Sequence, residues 1–337
     1  MLETTWFVLW GILWAVYFML DGFDLGLGSL MPFLARNDTE KRVIFNAMGP
    51  FWDGNEVWLV AAGGVTFAAF PRTYAYMFSS LYTPLMVILF ALILRGISFE
   101  FRGKVDSPGW RKIWDLCMFF GSLLPAFLFG VAFANIFKGI PIDGEGVFQG
   151  TILSLLNFYG VAGGFLFVLL FMVHGSLWLA VKSEGALHER ASAASSRLWI
   201  ALLIVTLVFL VSTAVFTSLY DNFLKAPLLF IIPLLTVIGL VLTRIFIGMQ
   251  AWVKAWFSSS LTIVTAVLFG IIGLYPNMFP SSIDPSYGLT IYNSASSPLT
   301  LKIMLGVALV LVPIVIVYQA WVYHLFRGKV REPELQY

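Results

Sequence analysis

The chain has 337 residues, of which 60% are hydrophobic and 11% charged, and its mean hydropathy is +0.90. These values exclude a soluble globular domain and indicate an all-α, polytopic membrane protein. The formal net charge of +2 gives no reason to expect nucleic acid as a partner, and the single cysteine, Cys117, excludes internal disulfides and a cysteine-built metal site.

Nine apolar segments of about 20 residues follow one another along the chain, and each is long enough to cross a bilayer as a helix. They lie near Trp6–Leu30, Met48–Phe70, Tyr76–Ser98, Trp114–Phe137, Leu155–Val181, Leu198–Leu219, Leu228–Gly248, Trp256–Tyr275 and Leu301–Phe326. No hydrophilic stretch between them is long enough to fold by itself. We therefore predict one integral membrane domain over residues 1–337 with nine transmembrane helices.

The basic residues favour one side of this nine-helix arrangement. Of the 20 Lys and Arg residues, one side holds only Arg72, Lys138, Lys225 and Lys302, Arg95 lies within a helix, and the rest fall on the opposite side. Loops rich in Lys and Arg stay in the cytoplasm. The sequence therefore predicts an N-terminus outside the cell and a C-terminus in the cytoplasm.

Acidic residues occur in the first two segments, where lipid-facing helices should have none. The runs are Leu20-Asp21-Gly22-Phe23-Asp24-Leu25-Gly26 and Pro50-Phe51-Trp52-Asp53-Gly54-Asn55-Glu56-Val57-Trp58. An ionised carboxylate at membrane depth costs several kcal/mol unless it finds a partner, a proton or water. The acids therefore indicate a proton- or ion-handling site.

The helical rise of about 1.5 Å per residue places these acids at a common depth. Asp21 and Asp24 lie roughly 22 and 27 Å below the outer end of the first helix, Asp53 lies roughly 25 Å from the outer end of the second, and Arg95 roughly 28 Å along the third. The residues that we predict to share one level, in the cytoplasmic third of the bilayer, are Asp21, Asp24, Asp53, Glu56, Arg95 and Glu100.

Arg95 is the one base at that level, so it is the natural counter-ion of the acids. Asp21 and Asp24 are spaced i, i+3 on one helix face, as are Asp53 and Glu56. Four carboxylates around one guanidinium cannot all ionise cheaply, and such a group can pass protons that enter from the cytoplasm. A structural ion-pair network that joins the first three helices is the alternative, and the two hypotheses are compatible.

Histidine is scarce in the chain, which holds three residues of this type. A haem-binding helical bundle needs axial His or Met side chains from facing helices. His174 is the one histidine well inside an apolar segment, and we predict a packing or hydrogen-bonding role for it. We therefore predict no cofactor-binding, metal-binding or catalytic residue in this chain.

Several motifs are similar to those of one protein family. They are Asp21-Gly22-Phe23-Asp24-Leu25-Gly26, Trp52-Asp53-Gly54-Asn55-Glu56-Val57-Trp58-Leu59, Leu94-Arg95-Gly96-Ile97-Ser98-Phe99-Glu100-Phe101-Arg102 and Phe279-Pro280-Ser281-Ser282. On these residues the chain strongly resembles subunit II of the cytochrome bd family of quinol oxidases, over essentially its whole length.

The resemblance implies a fold of nine transmembrane helices, arranged as two four-helix bundles plus one peripheral helix. It also implies a haem-bearing partner, subunit I, which ligates two b-type haems and one d-type haem and carries the quinol-binding loop. The complex would oxidise membrane quinol and reduce dioxygen to water with cytoplasmic protons, generating a proton-motive force in a bacterial or archaeal cell (inner) membrane. A bound structural quinone occurs in some members, and a small accessory subunit is left open.

The resemblance also implies roles for individual residues. Asp53 and Trp52 match positions at the mouth of a proton pathway, and Trp58 matches a position associated with oxygen access. Asp21, Asp24, Arg95 and Glu100 match a polar cluster on the first and third helices. Glu56 stands where some members carry Gln, so the resemblance does not make it essential. No independent enzyme activity is expected from this chain alone.

Two other classes of function remain as alternatives, and the buried acids argue against the second of them. One is a secondary transporter coupled to protons or sodium, although the inverted repeats and paired broken helices typical of such proteins are not evident. The other is a purely structural scaffold subunit.

Overall fold

The computed structural model describes residues 1–331 and 335. Its α-helices are α1 (Leu2–Leu34), α2 (Asp38–Met48), α3 (Trp52–Ala69), α4 (Pro71–Ser80), α5 (Tyr82–Phe101), α6 (Pro108–Lys138), α7 (Phe158–Lys182), α8 (Gly185–Phe216), α9 (Tyr220–Lys225), α10 (Ile231–Gly248), α11 (Trp252–Leu274), α12 (Ile291–Ser294) and α13 (Pro298–Leu325). Short 3-10 helices cover Ile152–Leu156, Pro227–Phe230 and Pro285–Tyr287, and the strands β1 (Asn277–Phe279) and β2 (Leu289–Thr290) pair antiparallel.

Eight helical stretches within the described residues are long and apolar enough to cross a membrane. They are α1, α5, α6, α7, α8, α10 with the short 3-10 helix before it, α11 and α13. The chain is therefore a helical, multi-pass membrane protein. The predicted second segment is not among the eight, because the helix that covers most of it, α3, carries Asp53, Asn55 and Glu56 in its first two turns and is less apolar.

Several element bounds differ from those predicted from hydropathy. The predicted segment Met48–Phe70 is divided, since α2 ends at Met48 and α3 begins only at Trp52. Pro50 lies in this break and has no N–H to donate to a continuing helix. Conversely, α8 begins at Gly185 and α6 at Pro108, both well before their apolar segments. Hydropathy detects only the apolar part of a helix, and a polar extension in water leaves no such signal.

Helix α1 forms the centre of the molecule and packs against α3, α6, α7 and α11. Its approach to α7 is so close that only glycine fits at the crossing. A Cβ at Gly26 would lie 1.8 Å from the carbonyl oxygen of Phe171, and a Cβ at Gly175 would lie 2.7 Å from the backbone nitrogen of Leu27. Small residues permit such contacts between membrane helices.

The remaining long helices surround this centre. α5 packs on α6, α8 on α7, and α10 on α11, while α13 contacts α1 and α3 along a narrow strip. In the most apolar 18-residue stretch of each helix, only 6% of α13 is buried, against 72% of α1. This contrast places α13 at the edge of the described chain and α1 at its core.

Candidate functional site

A buried ion-pair cluster joins three helices near the centre of the chain. Nη2 of Arg95, on α5, donates to Oδ1 of Asp21 on α1 over 2.7 Å and to Oε1 of Glu56 on α3 over 2.5 Å. The side chains of Arg95 and Asp21 are almost wholly buried, while 26% of the Glu56 side chain is exposed. Glu56 is therefore the member of the cluster that reaches toward the surface.

The second acid of the α1 run has a neutral partner. Nδ2 of Asn55 donates to Oδ2 of Asp24 over 2.8 Å and to the carbonyl oxygen of Leu20 over 3.1 Å. Asp24 and Asn55 are both fully buried. Asp21 and Asp24 thus lie in one run but differ in chemistry, because a guanidinium bonds to the first and an amide to the second.

Several polar atoms around this cluster have no hydrogen-bond partner among the described residues. They are Oη of Tyr17, Oδ2 of Asp21, Oδ1 of Asp24, and Nε and Nη1 of Arg95. Buried polar atoms without partners are rare in folded proteins. A group of them at one place, with donors and acceptors together, has the chemistry to hold ordered water and to exchange protons with it.

Two residues predicted to join the cluster lie outside it. Asp53 is exposed and its Oδ1 accepts a 2.7 Å bond from the backbone N–H of Gly54, and Glu100 is exposed. Glu100 follows Arg95 by five residues, which turns it about 140° around α5. Asp53 lies one turn before Glu56, at the exposed start of α3. The expected four carboxylates around Arg95 are therefore corrected to two direct partners, Asp21 and Glu56.

Trp52 and Trp58, the two tryptophans of the α3 motif, face different neighbours. The ring of Trp52 stacks on Phe99 of α5 with centroids 5.0 Å apart and planes 4° apart. Trp58 is buried, and its Nε1 donates to Oε1 of Gln319 over 2.7 Å. Trp52 thus packs α3 against α5, whereas Trp58 connects α3 to α13.

Two residues of α13, which the sequence analysis missed, complete the surroundings of Asn55. Nε2 of Gln319 donates to Oδ1 of Asn55 over 3.0 Å, and the hydroxyl of Tyr323 donates to the same oxygen over 3.1 Å. The available signal was weak: Gln319 is the one amide side chain in the apolar run of α13. A polar side chain in a membrane helix usually faces a protein partner rather than lipid.

A second ion-pair network, also missed from the sequence, ties α2 to α5 and α6. Arg102 donates through Nε to Asp115 over 2.7 Å and through Nη2 to Asp38 over 2.6 Å, and Lys41 bonds to Asp115 over 2.8 Å. Partial burial disfavours the charged form of Asp38, but the hydrogen bond and charge of Arg102, with Arg111 nearby, outweigh it and lower the pKa of Asp38.

His174 has the hydrogen-bonding and packing surroundings predicted for it. Its Nδ1 lies 2.6 Å from Oγ of Ser259, its Nε2 lies 3.1 Å from the carbonyl oxygen of Met19, and its ring stacks on Trp256. Both ring nitrogens therefore have protein partners. Within residues 1–331 and 335, no group of three or more His, Cys, Asp or Glu side chains lies close enough to hold a metal ion.

Comparisons of this chain with known protein sequences all indicate the same family. The family model described as cytochrome bd terminal oxidase subunit II matches residues 2–326. The chain is 37% identical to cytochrome bd ubiquinol oxidase subunit 2 of Bacillus subtilis (strain 168), covering 99% of this chain and 98% of that protein. It is 34% identical to cytochrome bd-I ubiquinol oxidase subunit 2 of Escherichia coli (strain K12), covering 99% and 97%.

A solved structure has the same fold. A chain of the bd oxidase from Geobacillus thermodenitrificans matches with a TM-score of 0.78 over 97% of this chain and 99% of that chain. The sequence identity in this match is 18%, so it supports the fold alone.

Proposed function

We propose, from the premise that this chain belongs to the cytochrome bd terminal oxidase subunit II family, that it is subunit II of a quinol oxidase. The relatives named above are subunits of ubiquinol oxidases. By the family resemblance, a partner subunit I would hold two b-type haems and one d-type haem and would oxidise membrane quinol. Dioxygen would be reduced to water there, in a bacterial or archaeal cell membrane.

The role that we propose for this chain is to carry protons toward that reaction. The observation that carries the proposal is the Arg95 cluster, in which buried acids with unpartnered oxygens lie behind a partly exposed acid. Protons would enter from the cytoplasm near Asp53 and Trp52 at the start of α3, pass Glu56, and reach Asp21 and Asp24. Consumption of protons taken from one side would generate a proton-motive force.

The proposed route requires a particular arrangement in the membrane. We take α3 as a ninth span, since 18 residues rise about 27 Å as a helix. One four-helix bundle would then hold α1, α3, α5 and α6, a second would hold α7, α8, α10 and α11, and α13 would be the peripheral helix. The distribution of Lys and Arg supports an outer N-terminus and a cytoplasmic C-terminus.

Other family roles extend the same proposal. Trp58 would border an oxygen-access route, and Glu100, exposed on α5, would be a second acid from which protons approach the cluster. The family resemblance also implies a bound structural quinone in some members and leaves an accessory subunit open. No residue of this chain can be assigned to either of them. The family assignment replaces the coupled-transporter hypothesis.

A structural role is the competing hypothesis, and a specific observation favours it. Arg95 bonds to two helices besides its own, so the cluster also holds α1, α3 and α5 together. The two hypotheses differ in the effect of a substitution that keeps the packing but removes the exchangeable proton.

The experiment is Asp24→Asn, expressed with its haem-bearing partner, with quinol-driven oxygen consumption measured per haem. Asn keeps the size of the side chain, so we expect an assembled complex with full haem content and much slower oxygen reduction. Asp221→Asn, an exposed acid on α9, is the matched control and should leave the rate unchanged. A wild-type rate per haem in Asp24→Asn would show that the acid is structural and that the proton route is wrong.

A further inference from the structure

Helix α13 has few contacts with the rest of the described chain, but two of its side chains bond to Asn55, the partner of Asp24. Gln319 and Tyr323 are four residues apart and so lie on one face of the helix. Both donate to the same atom, Oδ1 of Asn55, over 3.0 and 3.1 Å. Asn55 is fully buried and is the amide that bonds to Asp24. α13 thus holds the immediate neighbour of a proposed proton-carrying acid.

The direction of these hydrogen bonds follows from the chemistry of Trp58. An indole N–H can only donate. The oxygen of Gln319 therefore accepts from Trp58, and its amide nitrogen is left to donate to Asn55. The oxygen of Asn55 accepts, so its nitrogen donates to Asp24 and to the carbonyl of Leu20. Each donor and acceptor of Asn55 is in use, and reversing its amide would set oxygen against oxygen at Asp24.

The position of the Asn55 amide matters for proton exchange at Asp24. An N–H bonds more strongly to a carboxylate than to a protonated acid. The geometry of the bond from Asn55 therefore affects the balance between the ionised and protonated forms of Asp24. Among the described residues, the titratable and charged groups that interact electrostatically with Asp24 include Asp21 from α1, Glu56 from α3, Arg95 from α5 and Tyr323 from α13. Among them, Tyr323 is the one that also bonds to Asn55.

We infer that Gln319 and Tyr323 of α13 are positioning residues for proton exchange at Asp24 and that they act through Asn55. This inference rests on the proposed proton route, because it concerns the same acid. The ring of Tyr323 packs on Phe51 with centroids 4.5 Å apart, which holds its hydroxyl in place. The peripheral helix is thereby coupled to the acid cluster by side chains rather than by extensive packing.

The first test measures the pH dependence of oxygen reduction per haem in the assembled complex. Gln319→Leu and Tyr323→Phe each remove one bond to Asn55, and each should displace the pH profile by roughly half a pH unit. Tyr159→Phe is the matched control, because it removes a hydroxyl bonded to Thr213 over 2.9 Å, far from the acids. It should leave the profile in place.

The second test asks whether both residues act through Asn55. In an Asn55→Ala background, adding Gln319→Leu or Tyr323→Phe should cause no further displacement, because the group they hold is gone. A displacement as large as in the wild-type background would overturn the inference. Tyr323→Phe keeps the ring and its packing, so it decides the question even where Gln319→Leu lowers the amount of complex.

The two proposals fail in different ways. A wild-type rate in Asp24→Asn overturns the proton route and the positioning role with it. A slow Asp24→Asn enzyme, together with wild-type pH profiles for both Gln319→Leu and Tyr323→Phe, overturns the positioning role alone.

Discussion

Nζ of Lys182, at the end of α7, donates a hydrogen bond of 3.1 Å to the carbonyl oxygen of Gly328, just beyond the end of α13. The same nitrogen donates to the carbonyl of Phe326 and lies 4.9 Å from the centre of the Trp178 ring. Among the described residues no carboxylate pairs with it. A cation at a helix C-terminus interacts favourably with the last carbonyl groups. Lys182 therefore connects the end of α13 to the end of α7.

Replacing this anchor should loosen the end of α13. In Lys182→Met, we expect amide hydrogen exchange over residues 323–326 to become about tenfold faster, as for a local loss of about 1.4 kcal/mol. Mass-spectrometric exchange on the purified complex measures it. Lys302→Met, an exposed lysine near the other end of α13, is the control. Unchanged exchange in Lys182→Met would mean that the packing of α13 alone holds its end.

Arg95→Leu should reduce the amount of assembled complex more than it changes the rate of the complex that remains. It leaves the buried Asp21 and the partly buried Glu56 without their counter-ion, and breaking a buried pair costs about 3–5 kcal/mol. Haem content of membranes, with a quantitative blot of this chain, measures the effect. Arg111→Leu breaks exposed pairs and should cost less than about 1 kcal/mol. Normal amounts of fully active Arg95→Leu enzyme would refute the ion-pair role.

The meeting of Asp21, Glu56 and Arg95 was predictable because charged residues in apolar segments are rare. The helical rise, counted from one membrane face, places all three residues at a common depth. The buried carboxylates then need a counter-ion, and Arg95 is the base at that depth. The same count also assigned Asp53 and Glu100 to the cluster, although their side chains lie outside it. Depth alone carries no information on the direction in which a side chain points.

The contribution of α13 could not be derived in this way. Gln319 and Tyr323 are neutral, and they meet Asn55 across more than 260 residues of sequence, at distances in the chain of 264 and 268. Hydropathy predicts that α13 crosses the membrane but not which face it turns to α3. That orientation depends on the packing of the whole bundle, which one sequence does not encode in any local pattern.

The chain purified without its partner should show no stoichiometric haem spectrum. Both nitrogens of His174 have protein partners, which leaves neither free as an axial ligand. Absorbance of the purified chain around the Soret region tests this directly. A band at one haem per chain that disappears in His174→Ala would contradict the assignment of the haems to the partner subunit.

Asp38 and Glu40 should stabilise the attachment of α2 at neutral pH and lose that effect in acid. Burial opposes ionisation of both, but Arg102 lowers the pKa of Asp38, and the backbone N–H of Arg36 with the Arg190 side chain lowers that of Glu40. A carboxyl whose pKa falls on folding contributes stability above its unfolded pKa of about 4, and the contribution disappears as the pH drops through the folded pKa.

The measurement is the thermal unfolding midpoint of Asp38→Asn and wild-type complexes at pH 7 and near pH 3. The variant should be less stable at pH 7 only, by less than about 1 kcal/mol, because 45% of the Asp38 side chain is exposed and solvent screens the pair. Glu145→Gln, an exposed acid on a loop, should match wild type at both pH values. If Asp38→Asn were destabilised equally at both pH values, the loss of stability would come from packing rather than from the charge of Asp38.

Asp53→Asn and Glu100→Gln should distinguish the two exposed acids that the proposed route offers as entrances for protons. Asp53 lies in the first turn of α3, about one turn before Glu56 on the same helix, whereas Glu100 lies about 140° around α5 from Arg95. We therefore expect Asp53→Asn to keep its haem content and to reduce oxygen slowly, because the amide retains the acid's size but cannot take up and release a proton. Glu100→Gln should have the smaller effect. Quinol-driven oxygen consumption per haem compares them, and the reverse order would move the entrance of the route from α3 to α5.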